Sequence, residues 1–218
     1  MAKRAIVLAN GSVEDPVALR ERLGSLGESE VIAVDGGSLH ASSLGLAIDV
    51  LVGDLDSLRP DLAASLRESR TRLVQAPPMK DETDLELAVL EAVQRGAEEI
   101  IILGGAGGRL DMTLANVLLL LHSRLAGVRV ELWHGWQTAM LISPPQGSIR
   151  GEVGDTLSLI PLAGDARGVT TSGLEYPLCG DLLVAGPARG ISNVMTEPVA
   201  TVQLREGHLL VVHTPGRA

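Results

Sequence analysis

The 218-residue chain contains no phenylalanine, one tyrosine and two tryptophans, so its core has to be built from Leu, Val, Ile and Ala. A single cysteine, Cys179, excludes an internal disulfide and fits a reducing compartment. Basic residues are scarce. Against 27 Asp and Glu stand 18 Lys and Arg, a formal net charge of −9, and without a basic surplus to neutralise phosphates a nucleic-acid partner is excluded. No apolar run reaches the roughly 20 residues that a membrane span needs; the strongest, LANVLLLLHSRLAG, is interrupted by His122, Ser123 and Arg124. Strand-like AIVLA starts at residue 5 and leaves no room for a signal peptide. A cytoplasmic protein with no membrane partner is expected. The five histidines show no metal-ligand spacing, and no nucleophile elbow is present, so neither zinc chemistry nor a covalent intermediate is indicated.

What is present is ample apolar material, 45% of residues, enough for one large domain or for a domain plus a smaller one. Up to about residue 136 short β-branched runs (AIVLA, VIAVD, DVLVG, TRLVQA, EIIILGG, VRVELW) alternate with helical stretches. Alternation of this kind predicts an α/β domain over 1–136 with a mostly parallel sheet of about six strands. The strands read as continuous apolar runs, as they do when helices cover both faces. From 137 to 218 the helical pattern stops, and about eight short strand candidates predict a small all-β sandwich. There EPVATVQLREGHLLVVHT reads as a hairpin turning at Glu206-Gly207. A β module of that size has a modest core and needs support from the first domain or from another chain.

The polar chemistry falls at the ends of the predicted parallel strands, where open α/β sheets bind ligands. NGS follows the first, DGG the second, GDLDS the third, PPMKDETD the fourth and GGAGGRLD the fifth. Asp54 and Asp56 sit at i and i+2 and project to one side of an extended segment. Held that close they repel, and a bound cation removes the repulsion. With Asp81 and Asp84, the second of which opens a helix, they make a hard-oxygen set with no His or Cys, which suits Mg²⁺. A carboxylate at that helix start is equally a dipole partner or cap. In GGAGGRLD, Gly104, Gly105, Gly107 and Gly108 let backbone N–H groups approach an anion, and Arg109 adds a fork of donors. Neither the dinucleotide nor the P-loop pattern fits.

DGG, GDLDS, KDETD, GGAGGRLD, SGLEYPL and GISN, in this order and across this change of domain, resemble the thiamine pyrophosphokinase family from Asp35 to Asn193. The resemblance implies transfer of the diphosphate of ATP to the hydroxyl of thiamine, giving thiamine diphosphate and AMP, in a homodimer whose sites are shared between chains. It implies that Asp54, Asp56 and Asp84 bind Mg²⁺ and carry catalysis, and that Lys80 and Thr83 line the phosphate site. Asp35, the 104–108 loop, Arg109 and Asp111 would form the nucleotide edge. Tyr176 would stack on the thiamine ring, with Ser192 and Asn193 hydrogen-bonded to it. Two departures stand out: Leu55 replaces the usual aromatic between the paired aspartates, and Met112 the histidine often found after the aspartate of the glycine loop. Two rivals remain open at this point. One is a nucleotide-binding sensor without turnover; the other is a metal-dependent glycosyltransferase, since D-x-D also binds nucleotide-sugar diphosphates.

Overall fold

The computed structural model describes residues 3–53, 71–75 and 81–217. It divides into two compact units, 1–135 and 136–218.

Among the described residues the first unit holds six strands: β1 (Arg4–Leu8), β2 (Glu30–Val34), β3 (Val50–Gly53), β4 (Arg72–Gln75), β5 (Glu99–Leu103) and β6 (Arg129–His134). All pair in parallel, in the order β4-β3-β2-β1-β5-β6. The α-helices among the described residues are α1 (Pro16–Gly24), α2 (Ser38–Leu44), α3 (Asp84–Gln94) and α4 (Leu110–Leu119). Leu19 and Leu23 of α1 and Ala41 and Leu44 of α2 pack with Ile6, Leu8, Val31, Ala33, Leu51 and Ile101 in one cluster. Those strand residues alternate along their strands and so share a sheet face. Helix α3 packs against β1, β2 and β3, with Ala88, Val89 and Ala92 fully buried. Covered in this way, β1, β2 and β5 bury four successive residues each, which is why they read as unbroken apolar runs.

Helix starts follow local chemistry. The Asp15 carboxylate accepts from the Ala18 N–H at 3.1 Å, and Pro16, which has no N–H to leave orphaned, opens α1. Thr83 caps α3 by accepting from the Glu86 N–H at 3.1 Å. The long apolar run after Leu110 does not stay one helix: α4 ends at Leu119 and a 3₁₀ turn takes over at Ser123–Leu125, where His122 Nδ1 accepts from the Arg124 N–H. Among the described residues no helix is long and apolar enough to cross a membrane.

The second unit is built of antiparallel strands: β7 (Gln137–Ile142), β8 (Gln146–Arg150), β9 (Thr156–Ser172), β10 (Asp181–Leu183), β11 (Asn193–Val194), β12 (Val199–Gln203) and β13 (Glu206–Thr214). The order is β7-β13-β9-β12-β8, with β10 and β11 also on β9. Where short strands were expected, TLSLIPLAGDARGVTTS forms one 17-residue strand, β9. It pairs with β13 over its first part and with β12 near its end. Buried residues from both sets, among them Ile149, Leu159, Val169, Val202 and Val211, close one core.

The expected hairpin at Glu206-Gly207 is not formed. No ladder joins β12 to β13; both run against β9 instead. Gly207, at φ +86°, sits where the β13–β9 register shifts, and a Cβ there would meet the Asp165 carbonyl oxygen at 2.4 Å. Between Glu206 and His208 β9 advances five residues against two of β13, so the glycine lets β13 press onto the irregular stretch of β9 and makes no two-residue turn.

The buried Asp155 ties this unit to its last strand. Its Oδ2 accepts from the Glu152 N–H at 2.8 Å and lies 2.7 Å from His213 Nε2, while its Oδ1 accepts from the Gly216 N–H at 2.7 Å. Burial pushes its pKa up, but the N–H donors of Glu152 and Gly216 together with His213 outweigh it, and the net shift is downward. With the folded pKa below the unfolded value of about 3.9, the stability it contributes is complete above about pH 4 and is lost as pH falls through the folded pKa. Asp155→Ala is expected to cost about 2–3 kcal/mol at pH 7 by stranding these donors. The gap to wild type, measured by urea unfolding across pH, should shrink below about pH 4. A gap independent of pH would show that the carboxylate's charge contributes nothing.

Candidate active site

The carboxyl ends of β1, β2 and β5 and the start of α3 surround a cleft of about 700 Å³. Asn10, Gly11 and Ser12 enter from β1, Asp35 and Gly36 from β2, Thr83 and Asp84 from α3, and the glycine loop with Arg109 from β5. Four of the five motif segments thus meet at one edge of one sheet. Asp54 and Asp56, from the fifth, and Lys80 lie outside the described residues.

Close backbone approach brings these turns together. A Cβ on Gly11 would fall 2.4 Å from the Gly104 carbonyl oxygen, one on Gly36 would strike the Asn10 amide at 2.3 Å, and one on Gly53 would strike the Asp35 carboxylate at 1.9 Å. Gly11 is therefore required by the neighbouring backbone, while a side chain at Gly36 or Gly53 would have to displace the Asn10 amide or the Asp35 carboxylate. Hydrogen bonds complete the lock. The Gly11 N–H donates to Gly104 O at 2.7 Å, the Ser12 N–H to Ala106 O at 3.0 Å, and His40 Nε2 sits 2.9 Å from Gly11 O.

Within the glycine loop Gly107 and Gly108 take φ of +89° and +75°, values that a side chain disfavours. The carbonyls of Gly104, Gly105 and Ala106 are all occupied, by Gly11 N–H, Asn116 Nδ2 and Ser12 N–H. The N–H groups of Gly105, Ala106 and Gly108 find no acceptor among the described residues, and such donors in a glycine-rich strand-to-helix turn suit an anion. Arg109 is exposed and holds Asp111 through Nε–Oδ1 at 3.1 Å and a second bond to Oδ2 at 2.5 Å. These bonds lower the pKa of Asp111 and raise that of Arg109. A phosphate arriving here meets an Arg–Asp pair, not a lone cation.

The oxygen set can be tested for a hard cation. Asp35 and Asp84, both half-buried, line the cleft with no His or Cys between them, and Thr83, not Asp84, performs the helix capping. Both carboxylates are hard oxygen donors, and they fit Mg²⁺ in kind. No group of three or more acidic, His or Cys side chains gathers among the described residues.

Tyr176, Ser192 and Asn193 belong to the second unit. The Tyr176 side chain is 61% exposed. Asn193 is buried, and its amide grips the Tyr176 backbone: Oδ1 accepts from the Tyr176 N–H at 3.0 Å and Nδ2 donates to the Tyr176 carbonyl at 2.7 Å. Its Oδ1 also accepts from the Val194 N–H at 2.9 Å. Asn193, expected to hydrogen-bond a ligand ring, is thus engaged in fixing the segment that carries the exposed ring. Ser192 sits beside it at φ +58°, with its N–H donating to Ser158 Oγ at 3.1 Å.

Two family models match this chain: the thiamin pyrophosphokinase catalytic domain over residues 26–132 and the thiamin pyrophosphokinase vitamin B1 binding domain over residues 146–209. Both models come from one family and together take in well over half of the chain. The chain belongs to the thiamin pyrophosphokinase family. The Bacillus subtilis thiamine pyrophosphokinase is 27% identical over 184 residues, 84% of this chain and 86% of that protein. The rice thiamine pyrophosphokinase 1 is likewise 27% identical, over 71% of this chain but only 61% of the longer plant protein. Among solved structures, the B. subtilis thiamine pyrophosphokinase superposes with a TM-score of 0.84 at 25% identity, covering 98% of this chain and 99% of the other. The yeast enzyme reaches 0.80 at 14% identity over 97% of this chain and 86% of its own, a likeness of fold alone. Thiamin pyrophosphokinase sequences thus match on both sides of the boundary between the α/β and β units.

Residues such as Asn116 and Thr113 escaped the motif reading. A lone Asn inside LANVLLLL was the visible signal, since an amide in so apolar a helix needs a partner.

Proposed function

We infer that this chain transfers the diphosphate of ATP to the hydroxyl of thiamine, releasing AMP. The observation that carries this reading is the cleft: acidic and glycine-rich strand ends converge on it within a unit that matches the family's catalytic domain. In-line transfer of a diphosphate leaves the protein little covalent work, so catalysis rests on positioning and charge neutralisation. Asp54, Asp56 and Asp84 would hold Mg²⁺, which when bound supplies positive charge to the phosphate oxygens. The N–H groups of the glycine loop, with Lys80, Thr83 and Arg109, would orient the phosphates. Asp35 and Asp111 would complete the nucleotide edge, Asp111 through its hold on Arg109. Tyr176 would stack on the thiamine ring, worth about 0.5–1.5 kcal/mol beyond buried area. Ser192 and Asn193 would finish that site, Asn193 also by fixing Tyr176. Two chains would form a dimer, each ring site serving the cleft of the other chain.

The decisive measurement is incubation with ATP, Mg²⁺ and thiamine. AMP and thiamine diphosphate are expected in equal amounts, with no AMP when thiamine is omitted. ADP with thiamine monophosphate would overturn the reading. Binding of ATP without turnover would favour a sensor, and binding of a UDP-sugar a glycosyltransferase; neither accounts for a B1-binding match in the second unit.

A further inference from the structure

We propose that Asn116 and Thr113, two residues of α4, are positioning residues for the nucleotide: they lock the glycine loop with its N–H groups turned to the cleft. The inference rests on the kinase reading above and adds to it two residues that need not touch substrate to act.

Asn116 is buried at 6% exposure in a helix otherwise made of Leu, Val, Ala, Met and Thr around Asp111. Its Nδ2 donates to the Gly105 carbonyl at 2.7 Å. One turn earlier on the same helix, Thr113 Oγ1 accepts from the Gly107 N–H at 3.2 Å and lies 3.1 Å from the Arg109 carbonyl, to which it donates. The loop is thus held from the α4 side at Gly105, Gly107 and Arg109, and from the β1 side at Gly104 and Ala106. A peptide unit carries its carbonyl and the next N–H on opposite sides. Drawing the Gly104 and Gly105 carbonyls inward therefore turns the Gly105 and Ala106 N–H groups outward. Glycines cannot hold such a conformation themselves, because their backbone is the least restricted of any residue. The α4 side chains supply the missing rigidity, and helix α4 then begins immediately after Arg109, so that loop, arginine and helix start move as one piece.

The test compares Asn116→Leu, Thr113→Val and Thr113→Ser with the wild type in steady state. Loss of one buried hydrogen bond is expected to raise the KM for ATP about tenfold in Asn116→Leu, with the KM for thiamine within about twofold of wild type. Thr113→Val should shift in the same direction by a smaller factor, and Thr113→Ser, which keeps the hydroxyl, should return to wild type. Inhibition by inorganic tripolyphosphate, which has no base or sugar, should weaken in parallel with ATP. An unchanged KM for ATP would overturn the proposal. So would a shift in ATP-against-GTP preference with tripolyphosphate inhibition intact, which would mark a base contact. Parallel loss for ATP and thiamine would mark a purely structural role and also overturn it. If Asn116→Leu does not fold, the Thr113 pair decides alone. A wild-type protein that makes no AMP would instead defeat the kinase reading, an outcome distinct from all of these.

Discussion

Asp54→Asn is expected to lower turnover by roughly a thousandfold, since losing a ligand to a charge-neutralising cation removes several kcal/mol of transition-state stabilisation. Asp56→Asn should do the same, and Asp84→Asn should follow because Asp84 lines the same cleft. The three changes should leave the fold intact. Asp84 does not belong to the apolar cluster of the first unit. Replacing one of two mutually repelling carboxylates by an amide should, if anything, stabilise the metal-free protein slightly. The measurement is kcat over a Mg²⁺ titration, alongside thermal unfolding with and without the ion. Loss of kcat with unchanged unfolding and a lost Mg²⁺ response is the expected pattern. A variant at Asp54 or Asp56 that kept near wild-type activity at limiting Mg²⁺ would remove GDLDS from the metal site.

Why these residues could be found in the sequence, and others could not, has a physical basis. Strands β1, β2 and β5 were legible because covering both faces of a parallel sheet forces unbroken apolar runs. Once those strands are placed, the rule that ligands bind at their carboxyl ends puts NGS, DGG and GGAGGRLD on one edge, and the cleft lies there. Thr83 shows a limit of the same reading. Sequence pattern leaves open which polar residue at a helix start spends itself on the cap, and only the bond to the Glu86 N–H assigns it. In the second unit the signals are weaker, because glycine with positive φ marks irregular strand pairing and turns alike; Glu206-Gly207 carries a hairpin signature and lies instead at a register shift against β9. The grip of Asn193 on Tyr176 joins residues 17 apart in sequence through a short ladder against β9, and nothing in local pattern announces it. Asn116 was legible only as an anomaly, an amide stranded in an apolar helix.

A second large effect is expected from mixing two defective variants. Asp54→Ala is expected to disable the metal site proposed for the first unit. Asn193→Ala releases the backbone of Tyr176, whose two bonds to that amide have no substitute among the described residues. Each variant alone should be nearly inactive. In a two-fold symmetric dimer in which the ring site of one chain serves the cleft of the other, a mixed dimer gathers both lesions in one site and leaves the second site whole. Random exchange makes about half of all dimers mixed, so about a quarter of wild-type activity should return. Were each site formed within a single chain, every site in the mixture would carry one lesion and nothing would return. The experiment needs differently tagged subunits, to prove exchange, and circular dichroism of Asn193→Ala, to prove that the buried substitution leaves the β unit folded. If that variant unfolds, Tyr176→Ala takes its place, because an exposed ring can be removed without opening the core. With exchange demonstrated, recovery near zero would confine each site to one chain while leaving diphosphate transfer to thiamine untouched. Recovery near a quarter would explain why a β unit of this size is joined to the catalytic one: it would supply the second substrate's site across the dimer, where neither unit alone could assemble it.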